Sequence, residues 1–240
     1  MRYLFLLLMF AQQPAWAANS DYNREKKWAD EVIPGVVIGD PVYLEARGHK
    51  FLSLHTEAPN AKAGVVIVHG IGVHPEHGLI GVLRSRLADL GYTTLSIQMP
   101  ILAVEADAKV YQPLFPEAAA RIKAAAKYLQ DKGNKKVAIV SHSLGSAMTK
   151  SYFRNNADSP FAAWVSIGFL SDNYDGVKLP IYDLYGGSDL PAVVKGADGR
   201  KKTLVNARSA QTMAPRMDHF FTGYDDDLVK YVSTFLDKSL

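Results

Sequence analysis

Residues 64–68, Gly-Val-Val-Ile-Val, constrain the fold more than any other stretch, because four β-branched residues follow one another. A strand that is apolar at every position, and not only at alternate ones, is typical of a parallel sheet covered on both faces. Residues 137–140 repeat this pattern, and residues 79–90 between them place Leu and Val at helical spacing. Repeated alternation of strand and helix predicts an α/β fold, a doubly wound, mostly parallel sheet with helices on both faces.

Further segments fit this alternation. Residues 42–45 and 50–56 are strand-like and flank the turn residues 47–49, so we expect the first two strands to form an antiparallel hairpin. The remaining predicted elements are helices at residues 116–133 and 225–236 and strands at residues 93–98, 136–140, 161–167, 179–185 and 202–205. The sheet should therefore have about eight strands, and we interpret residues 19–35 as a polar lead-in to it.

Composition excludes several classes of protein. The 240 residues are 48% hydrophobic and 21% charged, which suits one globular domain with a sizeable core. The net charge is only +3, and residues 200–202 form the one basic run longer than two residues, so nucleic-acid binding is not expected. The chain has no cysteine, which excludes a disulfide scaffold, a cysteine nucleophile and a thiolate metal site.

The first eighteen residues predict a cleaved signal peptide. Arg2 precedes an apolar stretch at residues 4–10, and a small-x-small motif favours cleavage near Ala17 or Ala18. The apolar stretch is much shorter than the roughly 20 residues of a membrane-spanning helix, so an uncleaved anchor is the weaker alternative. We expect a periplasmic or secreted bacterial protein with no stable transmembrane segment after cleavage, in which residues 19–240 form a single domain.

Polar residues lie where the predicted strands end, which is where parallel sheets bind their ligands. Ser143 follows one strand within the sequence Ser-His-Ser-Leu-Gly, in which Ser141 stands in place of the first glycine of the G-x-S-x-G elbow. Asp189 follows a later strand, and His219 precedes the last predicted helix. A serine hydroxyl needs a base within hydrogen-bond reach, for which His219 is the candidate, and Asp189 would orient its imidazole.

Each of these residues also has a structural explanation. Ser143 is well suited to capping a helix, and His219, beside two phenylalanines, could pack in the core. Asp183 and Asp172 are alternatives to Asp189, although Asp183 lies inside a predicted strand. The serine, acid and histidine nevertheless follow a His-Gly loop at residues 69–70, in the chain order of one class of serine hydrolases.

With these motifs, the chain from about residue 50 to the C-terminus resembles the α/β-hydrolase superfamily. More narrowly, His-Gly-Ile-Gly-Val-His-Pro at residues 69–75 and Thr-Leu-Ser-Ile-Gln-Met-Pro at residues 94–100 resemble a family of uncharacterised bacterial envelope proteins of hydrolase type. The resemblance implies an α/β-hydrolase fold with a Ser-His-Asp triad and no cofactor. Ser141 and the near absence of a cap domain depart from the superfamily pattern.

The same resemblance implies an oxyanion hole and a substrate pocket. The elbow should direct the Leu144 backbone N–H at the developing oxyanion, and Ile71 should supply the second N–H, with Gly72 as the neighbouring candidate. Gly72, Met99 and Tyr111 are the weaker candidates for the pocket, since apolar loop residues after a strand are as often plain packing.

Four further histidines need an interpretation. His74 and His77 are three residues apart, but no third metal ligand is evident near them, so we expect no metal site. His69 is expected to bond to nearby backbone. His142 should point away from the pocket or form its rim.

The sequence therefore predicts an exported serine hydrolase that cleaves a carboxylic ester or related acyl bond of a small-molecule or envelope-derived substrate. A peptidase, a thioesterase or an amidase could use the same triad, and a non-catalytic binding or assembly protein could keep the same fold. Residues 168–178 are too few for a helical lid, so the site should be open, with any cover coming from residues 99–115.

Overall fold

A computed structural model of the protein describes residues 19–240. The predicted signal peptide, residues 1–18, lies outside the described residues. The helices are α1 (Tyr22–Val32), α2 (Leu79–Asp89), α3 (Phe115–Asp131), α4 (Leu144–Asn155), α5 (Pro191–Lys202) and α6 (Asp225–Ser239), with short 3-10 helices at Ile33–Gly35 and Ala108–Leu114. The strands are β1 (Asp40–Ala46), β2 (His49–Thr56), β3 (Ala63–Val68), β4 (Tyr92–Ile97), β5 (Val137–His142), β6 (Phe161–Ile167), β7 (Ile181–Gly186) and β8 (Ala210–Ala214).

All eight strands belong to one sheet, in the order β1-β2-β4-β3-β5-β6-β7-β8. The β1–β2 hairpin and the β2–β4 pair are antiparallel, and every pair from β4 to β8 is parallel. The predicted fold class is therefore confirmed. No helix within residues 19–240 is long and apolar enough to cross a membrane.

Helices cover both faces of the sheet and enclose two large hydrophobic cores. Helices α3 and α4 pack against each other over one core, which includes the buried Trp164. Helices α2 and α6 pack together over the other core, which includes the buried Phe221. Residues 63–68 of β3 are buried at every position because the strand has a core on each side, as the continuous apolar run predicts.

The predicted strand at residues 202–205 is wrong. Helix α5 ends at Lys202, and the last strand is β8, several residues further on. Helix α5 contains Gly196 and Gly199, which a propensity argument treats as helix-weakening residues. The glycines are needed because a Cβ on Gly196 would lie 2.8 Å from the Ser171 carbonyl oxygen. Tertiary packing thus decides the conformation of this segment.

The interpretation of residues 19–35 as a polar lead-in also needs correction, because this segment contains helix α1. The Asp21 side chain caps the helix by accepting a hydrogen bond from the Arg24 backbone N–H, at 3.0 Å. Glu25 on the inner face is buried and pairs with Arg121 of α3, at 3.0 Å. The helix is therefore part of the packed domain.

Candidate active site

The connection between β5 and α4 is a sharp turn centred on Ser143. Its φ of 55° and ψ of −124° lie in a region that residues other than glycine rarely adopt. A Cβ on Gly145 would overlap the His69 carbonyl oxygen, so glycine is required where the helix crosses the strand end. The Ser143 side chain makes no capping hydrogen bond to the described residues of α4, so its hydroxyl does not serve as an ordinary helix cap.

Ser141 occupies the position where the usual elbow has its first glycine, and its side chain has a partner there. Its Oγ accepts a hydrogen bond from the Trp164 indole N–H, at 2.7 Å, and lies 3.0 Å from the Ser146 Oγ. All three side chains are buried. A buried indole N–H without an acceptor is destabilising, so the Ser141 hydroxyl contributes to the core behind the elbow.

The structure brings Ser143, His219 and Asp189 together. The His219 Nε2 lies 3.0 Å from the Ser143 Oγ, and the His219 Nδ1 lies 2.6 Å from the Asp189 Oδ1. The Asp189 Oδ1 also accepts a hydrogen bond from the Leu190 backbone N–H, at 2.7 Å. The three residues are 8%, 6% and 7% exposed; Ser143 and His219 line the cavity, whereas the Asp189 side chain is fully buried. The arrangement can pass the serine proton to an imidazole that a carboxylate orients.

The two alternative acids have other roles. Asp183 is fully buried in β7, where its carboxylate pairs with Arg200 at 2.9 Å and accepts a hydrogen bond from the Tyr174 hydroxyl at 2.8 Å. Asp172 accepts a hydrogen bond from the Asn173 side chain, at 2.7 Å. Neither carboxylate bonds to the His219 ring. Asp218, next to the histidine, accepts backbone N–H groups of its own loop.

Gly168, directly after β6, was missed by the sequence reasoning. It has a φ of +58°, and a Cβ at this position would lie 2.9 Å from the His219 Cε1. The backbone of this glycine therefore packs against the imidazole ring and fixes its position. A glycine that directly follows a predicted strand, at the sheet edge where Ser143 and Asp189 lie, is the signal that could have identified it.

His142 lies beside the candidate base at the edge of the cavity, as expected. Its Nε2 lies 2.9 Å from the His219 carbonyl oxygen, and the centroids of the two rings are 4.6 Å apart. Burial, followed by the nearby His219, lowers the pKa of His142 to about 4. The ring is therefore neutral at pH 7, and its Nε2–H donates to the carbonyl oxygen.

On the other side of the serine lies the loop after β3, which we name the oxyanion loop (residues 69–74). The predicted donors, Ile71 and Leu144, both line the cavity at Ser143. Among residues 19–240, no acceptor takes a hydrogen bond from either backbone N–H. Gly72 adopts a φ of +66° and, contrary to prediction, does not line the cavity. This turn places its neighbours Ile71 and Val73 on the cavity wall, and its carbonyl oxygen accepts a hydrogen bond from Arg24, at 3.3 Å.

His69 holds the oxyanion loop against the loop that follows β4. The Met99 backbone N–H donates to the His69 Nε2, at 2.9 Å, so the ring proton lies on Nδ1 and is donated to the Gly70 carbonyl oxygen, at 2.8 Å. Burial lowers the pKa of His69 to about 3, which keeps the ring neutral. The predicted structural role of His69 agrees with these bonds.

A buried ionic cluster braces the same loops from behind, and the sequence reasoning missed it. Arg121 donates to the Gln98 carbonyl oxygen, at 3.0 Å, and pairs with both Glu25 and Glu117. The hydroxyl of Ser20, just before α1, donates a hydrogen bond to Glu25. It also accepts one from a backbone N–H of the loop that follows β4. Burial raises the pKa of Glu25, although Arg121 opposes this shift. Helices α1 and α3 are thereby tied to the loop that contacts His69.

A cavity of about 1270 Å³ opens above Ser143. Met99 and Tyr111, predicted to line it, are each only 1% exposed and belong to the core below, so that prediction is wrong. The Tyr111 hydroxyl instead accepts a hydrogen bond from the Leu102 backbone N–H, at 3.0 Å. Residues 99–115, expected to supply any cover, contribute Ala108, Gln112 and Phe115 to the cavity wall.

His74 and His77 lie with their ring centroids 5.5 Å apart, and Trp28 packs against the edge of His74. Residues 19–240 contain no group of three His, Asp or Glu side chains arranged to hold a metal ion. The segment between β6 and β7 contains no helix, and no cap domain covers the cavity in the described part of the chain.

No protein-family model matches the sequence, and no curated protein matches it. A dienelactone hydrolase from Anabaena variabilis is similar in structure, with a TM-score of 0.70 and 21% identity over 83% of this chain and 97% of that chain. An esterase from Pyrococcus furiosus has a TM-score of 0.65 and 13% identity over 83% of this chain and 92% of that chain. An α/β serine hydrolase without a lid from Xanthomonas campestris has a TM-score of 0.63 and 14% identity over 85% of this chain and 96% of that chain. Identities this low show shared architecture alone: the chain has the α/β-hydrolase fold.

Proposed function

We propose that the protein is a serine hydrolase that cleaves a carboxylic ester or related acyl bond through an acyl-enzyme. The observation that carries the proposal is the hydrogen-bonded series Asp189–His219–Ser143 at the floor of the open cavity. The backbone N–H groups of Ile71 and Leu144, which donate to no acceptor within residues 19–240 and line the same cavity as the serine, support it. Two of the similar structures are described as a dienelactone hydrolase and an esterase, which is in keeping with acyl chemistry.

In the first half of the reaction, the Ser143 Oγ bonds to the carbonyl carbon while its proton passes to the His219 Nε2. Asp189, on the other ring nitrogen, stabilises the imidazolium that results. The carbonyl oxygen gains negative charge and accepts hydrogen bonds from the Ile71 and Leu144 N–H groups. When the carbonyl re-forms, the bond to the leaving alcohol breaks, and the alcohol oxygen takes the proton from Nε2.

In the second half, water replaces the alcohol. Nε2 accepts a proton from the water while the water oxygen bonds to the acyl carbon. The collapse of this second tetrahedral intermediate breaks the bond to Ser143, whose Oγ recovers the proton from His219. The products are a carboxylic acid, an alcohol and the free enzyme, and no cofactor takes part in either half of the reaction.

A fluorophosphonate probe, followed by intact-protein mass spectrometry, tests the nucleophile. The wild type should gain one adduct, and Ser143→Ala should gain none and lose about 10⁴-fold or more of its esterase activity. Ser171→Ala, at another serine that lines the cavity, is the matched control and should keep the adduct. An unlabelled wild type would exclude the mechanism and favour a binding protein that keeps the hydrolase fold, whereas labelled Ser143→Ala would show that another residue is the nucleophile.

Export is a further part of the proposal, and it rests on the amino-acid pattern of residues 1–18. N-terminal sequencing of protein recovered from the periplasm or medium should begin near Ala18 or Asn19. A chain that begins at Met1 in that fraction would contradict cleavage.

A further inference from the structure

The cavity above Ser143 continues along one face of helix α4. Four positions on this face line the cavity at spacings of three or four residues: Leu144, Ala147, Ser151 and Asn155. Lys150 and Arg154, next to the last two, also line it. At a rise of about 1.5 Å per residue, the cavity follows the helix for about 10 Å to Lys150 and about 16 Å to Arg154.

The wall nearest the nucleophile is apolar. Leu144 and Ala147 face the cavity in the first turn of α4, and Ile71 and Phe115 pack against the same core cluster from the adjoining loops. Phe169, from the loop after β6, completes this wall. A surface of this kind favours an aliphatic chain bonded directly to the reacting carbonyl carbon.

The far end of the same wall is positively charged. The Lys150 Nζ donates to the backbone and side-chain oxygens of Asn173, at 2.8 and 2.5 Å, and lies 3.5 Å from the Ser171 Oγ. These acceptors are neutral, and within residues 19–240 neither Lys150 nor Arg154 forms an ion pair with a carboxylate. Both cations thus keep charge that a ligand can neutralise.

The acidic residues near the cavity do not line its α4 end. Burial lowers the pKa of Lys150; Asp175 and Asp172 oppose this shift, and Arg154 adds to it. Neither aspartate lines the cavity. The only acidic residue among the described lining residues is Asp225, at the start of α6, which packs on the opposite face of the sheet from α4. The α4 end of the cavity is therefore its cationic end.

A helix dipole favours a cation in the last turn of a helix, which accounts for a basic residue such as Arg154 near the end of α4. It does not account for Lys150, which lies in the middle of the helix, nor for the fact that both side chains line the cavity that contains Ser143.

We propose that the substrate's acyl part lies along helix α4 and ends in a carboxylate that binds Lys150 and Arg154. The substrate is then a half-ester of a dicarboxylic acid, and hydrolysis releases the free diacid and an alcohol. This inference rests on the proposed acyl hydrolase function. It adds a substrate class to that function, and it sets the distance from ester carbon to carboxylate at about 10 to 16 Å.

The test compares nitrophenyl half-esters of unbranched dicarboxylic acids with nitrophenyl esters of monocarboxylic acids of the same chain lengths. In the wild type, kcat/KM for the half-ester should exceed that for the neutral ester by about tenfold at the best length, equivalent to about 1.4 kcal/mol. The preference should decline as ionic strength rises, because the cationic end is open to solvent.

Arg154→Gln is the decisive variant, since the side chain is exposed and the substitution should not disturb folding. It should lower kcat/KM for the half-ester several-fold more than kcat/KM for the neutral ester, and adding Lys150→Gln should abolish the preference. Lys123→Gln, at an exposed lysine of α3 that does not line the cavity, is the matched control and should keep it.

Equal kcat/KM for charged and neutral esters at every length, or equal losses on both in Arg154→Gln, would overturn the carboxylate subsite while leaving the hydrolase function in place. The same comparison includes esters that carry the carboxylate on the alcohol part, and a preference for these alone would overturn the placement of the acyl chain. Failure to hydrolyse any ester would overturn both proposals.

Discussion

The two sides of the candidate site are held by different forces. On the nucleophile side, backbone packs directly against backbone or ring, at Gly145 against His69 and at Gly168 against His219. On the side of the oxyanion loop, a buried network of charges and hydrogen bonds runs from Arg121 and Glu25 through Gln98 to the loop. The first side is positioned by steric fit, the second by electrostatic pairing.

This difference determines how each side can fail. Adding a methyl group at one of these glycines destroys the steric fit, and the resulting loss of stability should not depend on pH or salt. A buried ionic cluster is lost when one partner is removed, because the remaining charges stay buried and unpaired. Substitutions on the two sides should therefore differ in how much stability they remove and in how that loss depends on pH and salt.

The largest effect is expected from Arg121→Gln. It leaves the buried Glu25 and Glu117 without their cation, so the free energy of unfolding should fall by about 3–5 kcal/mol, measured by urea denaturation. Lys127→Gln breaks the exposed pair with Asp131 on the same helix and should cost less than about 0.5 kcal/mol. Similar losses in both variants would show that the cluster does not brace the site.

Gly145→Ala should come next, with a loss of about 1–3 kcal/mol and a sharp fall in activity, because its Cβ would displace the backbone at His69. Gly35→Ala is the control, since a Cβ there meets no described atom within 4 Å and needs no positive φ. Thermal denaturation and ester hydrolysis check both variants. Normal stability and activity in Gly145→Ala would refute the steric account of the elbow.

Each side also contains a buried histidine with a lowered pKa, His69 or His142, and both should make stability depend on pH. The pKa values of His69 and His142 are lowered to about 3 and about 4, below the value of about 6.5 in an unfolded chain. As the pH falls below 6.5 the unfolded state binds protons that the folded state does not, so stability decreases by about 1.4 kcal/mol per pH unit for each histidine.

Urea denaturation at pH 7, 6 and 5 measures this slope. His142→Asn should reduce the slope by about 1.4 kcal/mol per pH unit, the contribution of one histidine. His69→Asn should do the same if it folds. A slope unchanged in His142→Asn would show that this ring is protonated in the folded protein.

Arg24→Gln should have the smallest effect on stability, about 1 kcal/mol. Its guanidinium bonds to the carbonyl oxygens of Leu102 and Gly72 and lies 4.4 Å from the Trp28 ring, so it joins helix α1 to the oxyanion loop. Because the loop positions the Ile71 N–H, kcat should fall several-fold while KM changes little. A change in KM alone would show that Arg24 does not position this donor.

The sequence predicted the sheet, the elbow and the association of Ser143, Asp189 and His219, because local patterns carry that information. A buried strand is apolar at every position, and residues that follow parallel strands meet at one edge of the sheet. The order of the loops along the chain then brings the three side chains together without any knowledge of the packing around them.

The remaining features depend on contacts between distant parts of the chain. The glycines of α5 make sense only once the loop at Ser171 is in place, and the burial of Glu25 depends on Arg121, 96 residues further on. Met99 and Tyr111 lie in a segment without regular periodicity, so nothing local shows whether their side chains face the core or the cavity.

The hydrogen bond between Ser141 and Trp164 links a position in the elbow to a position on the neighbouring strand. Substituting glycine at residue 141 would restore the common motif but leave the indole without its acceptor. The two positions should therefore change together during divergence, with serine accompanying tryptophan and glycine accompanying an apolar residue that has no N–H. A motif search that treats the elbow as an isolated pentapeptide overlooks such chains, whereas one that pairs the two positions would recover them.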